Sequence, residues 1–113
     1  LLNAAEAAWH CDDRDAAEGY LLTLQRARFT DGGAAKESAV AAMTDDELLT
    51  EILDERAREL AFEGHRWFDL RRTTRPRIVR TYRGEEYVLE ANDPRYTIRI
   101  PSSAIEANPG LAD

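Results

Sequence analysis

With one cysteine, one methionine and one lysine in 113 residues, the sequence excludes several kinds of chemistry at the outset. A single thiol cannot close an intrachain disulfide, so no cross-link framework supports the fold. Cys11 follows Trp9 and His10, not the small residues that precede a lipidated cysteine, and reads as a half-buried thiol. No apolar run approaches the roughly 20 residues needed to cross a bilayer as a helix. The opening LLNAAEAAWHC lacks a positive leader and a long apolar region, so it does not read as a secretory signal. His10 and His65 have no triad around them, no serine stands in a nucleophile elbow, and Gly32-Gly33 is a bare pair, not a phosphate loop. No catalytic residue and no cofactor is expected.

What is present is charge and aliphatic bulk. Hydrophobic residues make up 43% of the chain and charged residues 33%, which excludes a wholly disordered segment. A chain of this length buries one core, so residues 1–113 are expected to form a single unit. The net charge of −7 is unevenly spread. Residues 65–83 carry seven arginines against one aspartate, between two acidic flanks. That band could read as a phosphate-binding strip, but the acidic remainder would repel a polyanion and no nucleic-acid motif surrounds it. No nucleic-acid partner is expected.

Periodicity gives a mostly α architecture. Leu1, Ala5, Ala8 and Trp9 share one face of a first helix. Asp12 or Asp13 then caps a second, whose inward positions are Ala17, Tyr20, Leu21, Leu24 and the stem of Arg28. Residues 1–28 thus predict a helical hairpin with small alanines opposite Trp9 and Tyr20, the packing used by helix-pair repeats such as TPR. Residues 29–43 have weak periodicity and read as a loop with at most a helical turn near its end. Residues 44–76 hold a long capped helix and a short one: Thr44 and Glu47 form a capping box, Met43 and Leu48 a hydrophobic staple, Gly64 a C-terminal stop, and HRWFDLRR the short helix. In the tail, 77–113, RIVRTYRGEEYVLE predicts two short strands about Arg83-Gly84. YTIRIP is extended, SSAIEANPGL restarts as a turn with Ser103 and Glu106 as a second box, and the last six residues form a turn and an edge.

The densest chemistry lies in ELAFEGHRWFDLRR. With Leu48 at zero and about 100° per residue, Leu48, Leu49, Ile52, Leu53 and Leu60 fill an apolar arc of roughly 140°. Arg56, Glu59 and Glu63 fall inside it, at roughly 80°, 20° and 60°, while Glu47, Glu51, Asp54 and Arg58 fall outside. Unpaired, each inward charge costs several kcal/mol, at about the level of a buried ion. The expectation is a buried network of Arg56, Glu59, Glu63, Arg66, Asp69 and Arg71 that locks the long helix to the short one. Sharper readings compete. A glycoside hydrolase using Glu59 and Glu63 needs the two carboxylates about 5 to 9 Å apart across a cleft. A metal site could recruit Glu59, Glu63, His65 and Asp69, but neither Glu-x-x-His nor His-Glu-x-x-His occurs, so no metal is expected. Trp67 and Phe68 could form an exposed stacking platform for sugar rings, a weak ligand-binding candidate.

ILDERARELAFEGHRWFDLRR resembles the C-terminal signature of the SusD/RagB family, with Ile52, Glu55, Arg56, Arg58, Glu59, Leu60, Glu63, Gly64, Arg66, Trp67, Phe68, Asp69, Leu70 and Arg71 in the matching positions. AAEAAWHCDDRDAAEGYLLTLQRAR is similar to the family's helical pair, with Gln25 where asparagine is usual. YTIRIPSSAIEANPGL is similar to its closing segment through Pro101, Ile105, Asn108 and Pro109, although Ala104-Ile105 replaces the expected Glu-Ile. The resemblance implies that the chain is the C-terminal segment of a longer, lipid-anchored protein on the extracellular face of the outer membrane. It implies a non-enzymatic glycan- or nutrient-binding component of a TonB-dependent uptake system, with this segment as scaffold. The implied partners are a SusC-like TonB-dependent transporter and a polysaccharide or oligosaccharide. No sugar-contacting residue carries over by position, and a dimer of the isolated segment is expected if faces that pack on other parts of the protein stand open. The alternative is a free-standing helical adaptor for protein partners.

Overall fold

The computed structural model describes residues 1–111 and is mostly α, with one two-stranded antiparallel sheet. Where the sequence suggests one unit, contacts gather the chain into two compact units, Leu1–Arg66 and Trp67 onward. None of the described helices is long and apolar enough to cross a membrane.

In the first unit, α1 (Leu2–His10) and α2 (Arg14–Arg28) pack on each other, with α3 (Ala34–Ala41) and α4 (Asp45–Glu59) completing the core. Asp13 caps α2 by accepting from the Ala16 amide at 3.1 Å. The hairpin faces inward through Leu2, Ala5, Ala17, Leu21 and Leu24, against Val40, Leu48 and Ile52. Leu2 takes the inward place expected of Leu1, and Tyr20 is exposed, because the Leu21/Leu24 stripe centres one residue further along α2. Trp9 is half-buried and donates from Nε1 to the Asp45 carbonyl at 2.7 Å, while Arg14 reaches the Met43 carbonyl at 2.7 Å and the Asp45 carboxylate at 2.5 Å. Three bonds thus hold the start of α4 to the α1–α2 corner. Cys11 lies exposed in that corner, not half-buried.

The segment expected as a loop contains α3, two turns long. Only Val40 of α3 is buried, so an amphipathic stripe is scarcely visible in its alanine-rich sequence. Gly33 starts it at φ +76°, with the Asp31 carboxylate accepting from its amide, and a β-carbon there would lie 3.2 Å from the Arg26 nitrogen. That glycine is required both by its left-handed conformation and by the close passage of α2.

The capping box at α4 forms as the sequence indicates: the Glu47 amide donates to the Thr44 hydroxyl, and the Thr44 amide donates to the Glu47 carboxylate at 2.7 Å. Three acidic residues occupy the first turn and Arg56 and Arg58 the last, matching the helix dipole at both ends. The helix ends at Glu59, however, not at Gly64. Beyond Arg56 no residue through Arg66 is buried, so a further turn would gain no packing, and propensity alone does not sustain one. The chain instead turns through Phe62 at φ +68° and Gly64 at φ +80° before α5 (His65–Arg72).

In the second unit, β1 (Ile78–Tyr82) pairs with β2 (Glu85–Leu89) about Arg83-Gly84, in the register Ile78 to Leu89, Arg80 to Tyr87 and Tyr82 to Glu85. Its centre is Tyr96, fully buried in the 3-10 turn Pro94–Tyr96. The Tyr96 ring stacks on Trp67 with centroids 5.2 Å apart, and its hydroxyl donates to the Pro76 carbonyl. Helix α6 (Ser102–Ala107) starts at Pro101 without a side-chain cap, so the second capping box does not form. Ser103 is already the second helical residue, two steps beyond the N-cap position a box requires. A short 3-10 turn, Pro109–Leu111, follows, and the rest of the expected terminal edge lies outside the described residues.

Candidate functional site

The charged sequence does turn inward, but its partners are spread along the chain. Arg56 and Glu6 are both buried, with Arg56 Nε 3.9 Å from a Glu6 carboxylate oxygen, and Arg56 also donates to the side chain of Asn3. The long helix is thereby tied to α1. A second polar cluster forms around Gln25, which is fully buried on α2. Its amide nitrogen donates to Glu51 and Glu55, each at 3.1 Å, and Arg58 donates to the same two carboxylates at 3.0 and 2.8 Å. Lys36 of α3 reaches Glu51 at 3.3 Å. The Gln25 carbonyl oxygen is buried without a protein partner, so this cluster carries one unsatisfied acceptor.

Glu59 is held by Arg28 through two bonds, at 3.0 and 2.5 Å. Those hydrogen bonds, and the positive charge behind them, hold the Glu59 carboxyl below its ordinary titration range despite partial desolvation. Glu63 is exposed beside His65, 3.9 Å away, since the turn after Glu59 takes it off the helix. Arg66 pairs with Asp54 at 3.6 Å and donates to the Leu53 carbonyl at 3.3 Å. Asp69 is buried and pairs with Arg72 at 2.7 Å, a cation the helical wheel did not select. Arg71 is half-exposed, and its carbonyl accepts from Arg75. Of the six residues expected in the network, Arg56, Glu59, Glu63 and Arg66 belong to the first unit and Asp69 and Arg71 to the second.

Glu6, Gln25 and Glu55 are the partners that sequence reasoning missed. Glu55 falls about 20° outside the apolar arc on the same wheel, and Glu6 lies one turn from Leu2, so both were visible as border positions. Gln25 carried a signal only through its place in the helical pair.

A cleft of about 450 Å³ opens at the junction of α1, α2 and the end of α4. It is lined by Leu1, Leu2, Asn3, Leu24, Leu60, Arg56, Glu59 and His65, a mixed surface and not an apolar groove. Its one well-held carboxylate, Glu59, stays ionised and acts as an acceptor. A glycosidase general acid needs the opposite, a carboxyl whose titration is raised. Among the described residues no group of three or more His, Cys, Asp or Glu side chains is arranged to hold a metal ion. Of the two aromatic candidates, Trp67 spends one ring face on Tyr96 while Phe68 stands exposed.

Comparison with known proteins places this arrangement. The sequence model of the SusD family matches residues 1–112. No curated protein matches the chain.

Proposed function

Because this chain belongs to the SusD family, we propose that it works in nutrient uptake as a non-enzymatic surface component of a TonB-dependent system, with this segment as scaffold. The observation that carries the reading is the use to which the ionisable residues are put. Arg56, Glu6, Glu51, Glu55 and Glu59 are engaged in tying α1, α2 and α4 together, and Arg28 keeps Glu59 charged. Groups so committed shape a rigid helical support, on which binding surfaces elsewhere in a longer protein depend. The TPR-like character of the α1–α2 pair, the lipid anchor and the extracellular placement belong to the same proposal.

Affinity capture of the tagged full-length protein from solubilised outer membranes tests it. A TonB-dependent transporter enriched with the bait is the expected result, and capture of the bait with no transporter at all would overturn the reading.

One observation favours a helical adaptor for protein partners. Phe62 is fully exposed on a tight turn and adopts a left-handed backbone that costs a bulky residue energy. An aromatic ring presented at that cost suits insertion into a partner, and the transporter itself could supply the pocket.

A further inference from the structure

The β-hairpin has a face that the scaffold reading leaves without a role. Side chains alternate across a strand, so Ile78, Arg80 and Tyr82 share one face with their cross-strand partners Leu89, Tyr87 and Glu85. Arg80 stands directly opposite Tyr87. Both tyrosines are more than half exposed, at 60% for Tyr82 and 54% for Tyr87. A groove of about 240 Å³ runs along this face, lined by Ile78, Arg80, Tyr87, Val88, Leu89 and Arg95. Its lining thus combines aliphatic side chains, a phenol ring and two guanidinium groups.

The two cations differ in how they are held. Arg95 is fixed by Asp93 through bonds of 2.9 and 2.7 Å and by the Val88 carbonyl at 2.9 Å. Arg80 makes one bond, to its neighbour's carbonyl Val79 at 3.0 Å, and pairs with no carboxylate among the described residues. Arg83, at the hairpin tip, lies 5.2 Å over the Tyr82 ring and likewise has no described carboxylate partner. The Tyr87 hydroxyl donates to Glu85 at 3.0 Å, which fixes the ring.

We infer that this groove is an accessory binding site for a negatively charged sugar residue of a glycan, its anionic group on Arg80 and its ring on Tyr87. The physical argument has three parts. An uncommitted guanidinium presents paired donors that match a carboxylate. An exposed aromatic ring offers its face to the C–H side of a sugar ring and its hydroxyl edge to polar groups. The small groove suits one ring-sized group, well below the span of a pocket built for a larger ligand. The inference goes beyond the scaffold assignment and rests on the nutrient-binding reading only for the class of polymer.

Isothermal titration of the full chain with oligogalacturonate, its methyl-esterified neutral counterpart, a sulfated oligosaccharide of equal length and an oligoglutamate peptide tests it. The acid sugar should bind at least about tenfold tighter than the ester, a difference in the range of one charge-assisted contact. Arg80→Gln should bring the acid sugar down to the level of the ester, and Tyr87→Ala should weaken both sugars. Tighter binding of the sulfated sugar, lost in Arg80→Gln, would keep the anion site and identify a sulfate ester as its source. Equal binding of acid and ester, or hairpin variants that bind as wild type does, would overturn the site while leaving glycan binding in place. Tighter binding of the peptide, or no binding of any probe, would also overturn it, and transporter capture would still decide the wider reading separately.

Discussion

Replacing Arg56 with alanine should destabilise the first unit by about 3–5 kcal/mol, the cost of stranding one member of a buried ion pair. The side chains of Arg56 and Glu6 are 8% and 9% exposed and 3.9 Å apart. At an effective dielectric constant of 20, two unit charges at that separation attract by about 4 kcal/mol, close to the same figure. The loss arises because Glu6 remains in the core with the Arg56 charge beside it removed, not because the pair is itself worth that much. Domains of this kind hold only about 5–15 kcal/mol in reserve, so the variant should sit near its unfolding midpoint at moderate temperature. Urea melts followed by far-UV circular dichroism measure this directly. With a denaturant slope of about 1–3 kcal/mol per molar, the midpoint should fall by more than about 1 M. The double variant Arg56→Met, Glu6→Leu removes both charges at similar volume and should recover most of the loss. A single variant costing less than about 1 kcal/mol, or a double variant no more stable than the single, would refute the reasoning.

Three further outcomes follow from the same contacts. Thr44→Ala removes the capping box of α4 and should cost about 1 kcal/mol in the same melts; an unchanged midpoint would count against the cap. Gly33→Ala puts a β-carbon 3.2 Å from the Arg26 nitrogen at a left-handed position. It should destabilise by about 1 kcal/mol or more, whereas Gly19→Ala, with open space around it inside α2, should stabilise slightly. In acid, the carboxyls of Glu47, Glu59 and Asp93 are held below their ordinary range by the Thr44 amide, Arg28 and Arg95 respectively. Their contribution is therefore complete above the unfolded values of about 4 and is lost as pH falls through the lower folded values. Melts should be flat from neutral pH to about 5 and decline below about 4; stability that rises on acidification would contradict the assignments.

The capping box was legible because its residue types sit at a fixed spacing and need only local backbone, and the strand pair was legible from alternation about Arg83-Gly84. Arg56 was likewise correctly turned inward by the wheel. Glu63 was not, because the wheel assumes a constant turn per residue and the helix ends at Glu59, where burial ends. The partners of Arg56 were beyond local reasoning altogether: Glu6 and Asn3 lie about fifty residues away in the chain, and only the packing of α1 on α4 brings them in. Helix α3 was hidden for a different reason, since one buried valine in eight residues makes no periodic stripe. Trp67 read equally well as a platform or as core, and the stack on Tyr96 puts one of its faces in the packing of the second unit.

Glu55 and Glu59 of this signature hold helices together, and neither they nor Glu63 is expected to cut a glycan. Incubating the protein with neutral and acidic polysaccharides and following the appearance of reducing ends tests that most directly. The account predicts no release above the buffer control, with wild type and Glu59→Gln indistinguishable. Steady release that disappears in Glu59→Gln, in a variant that still folds, would contradict it.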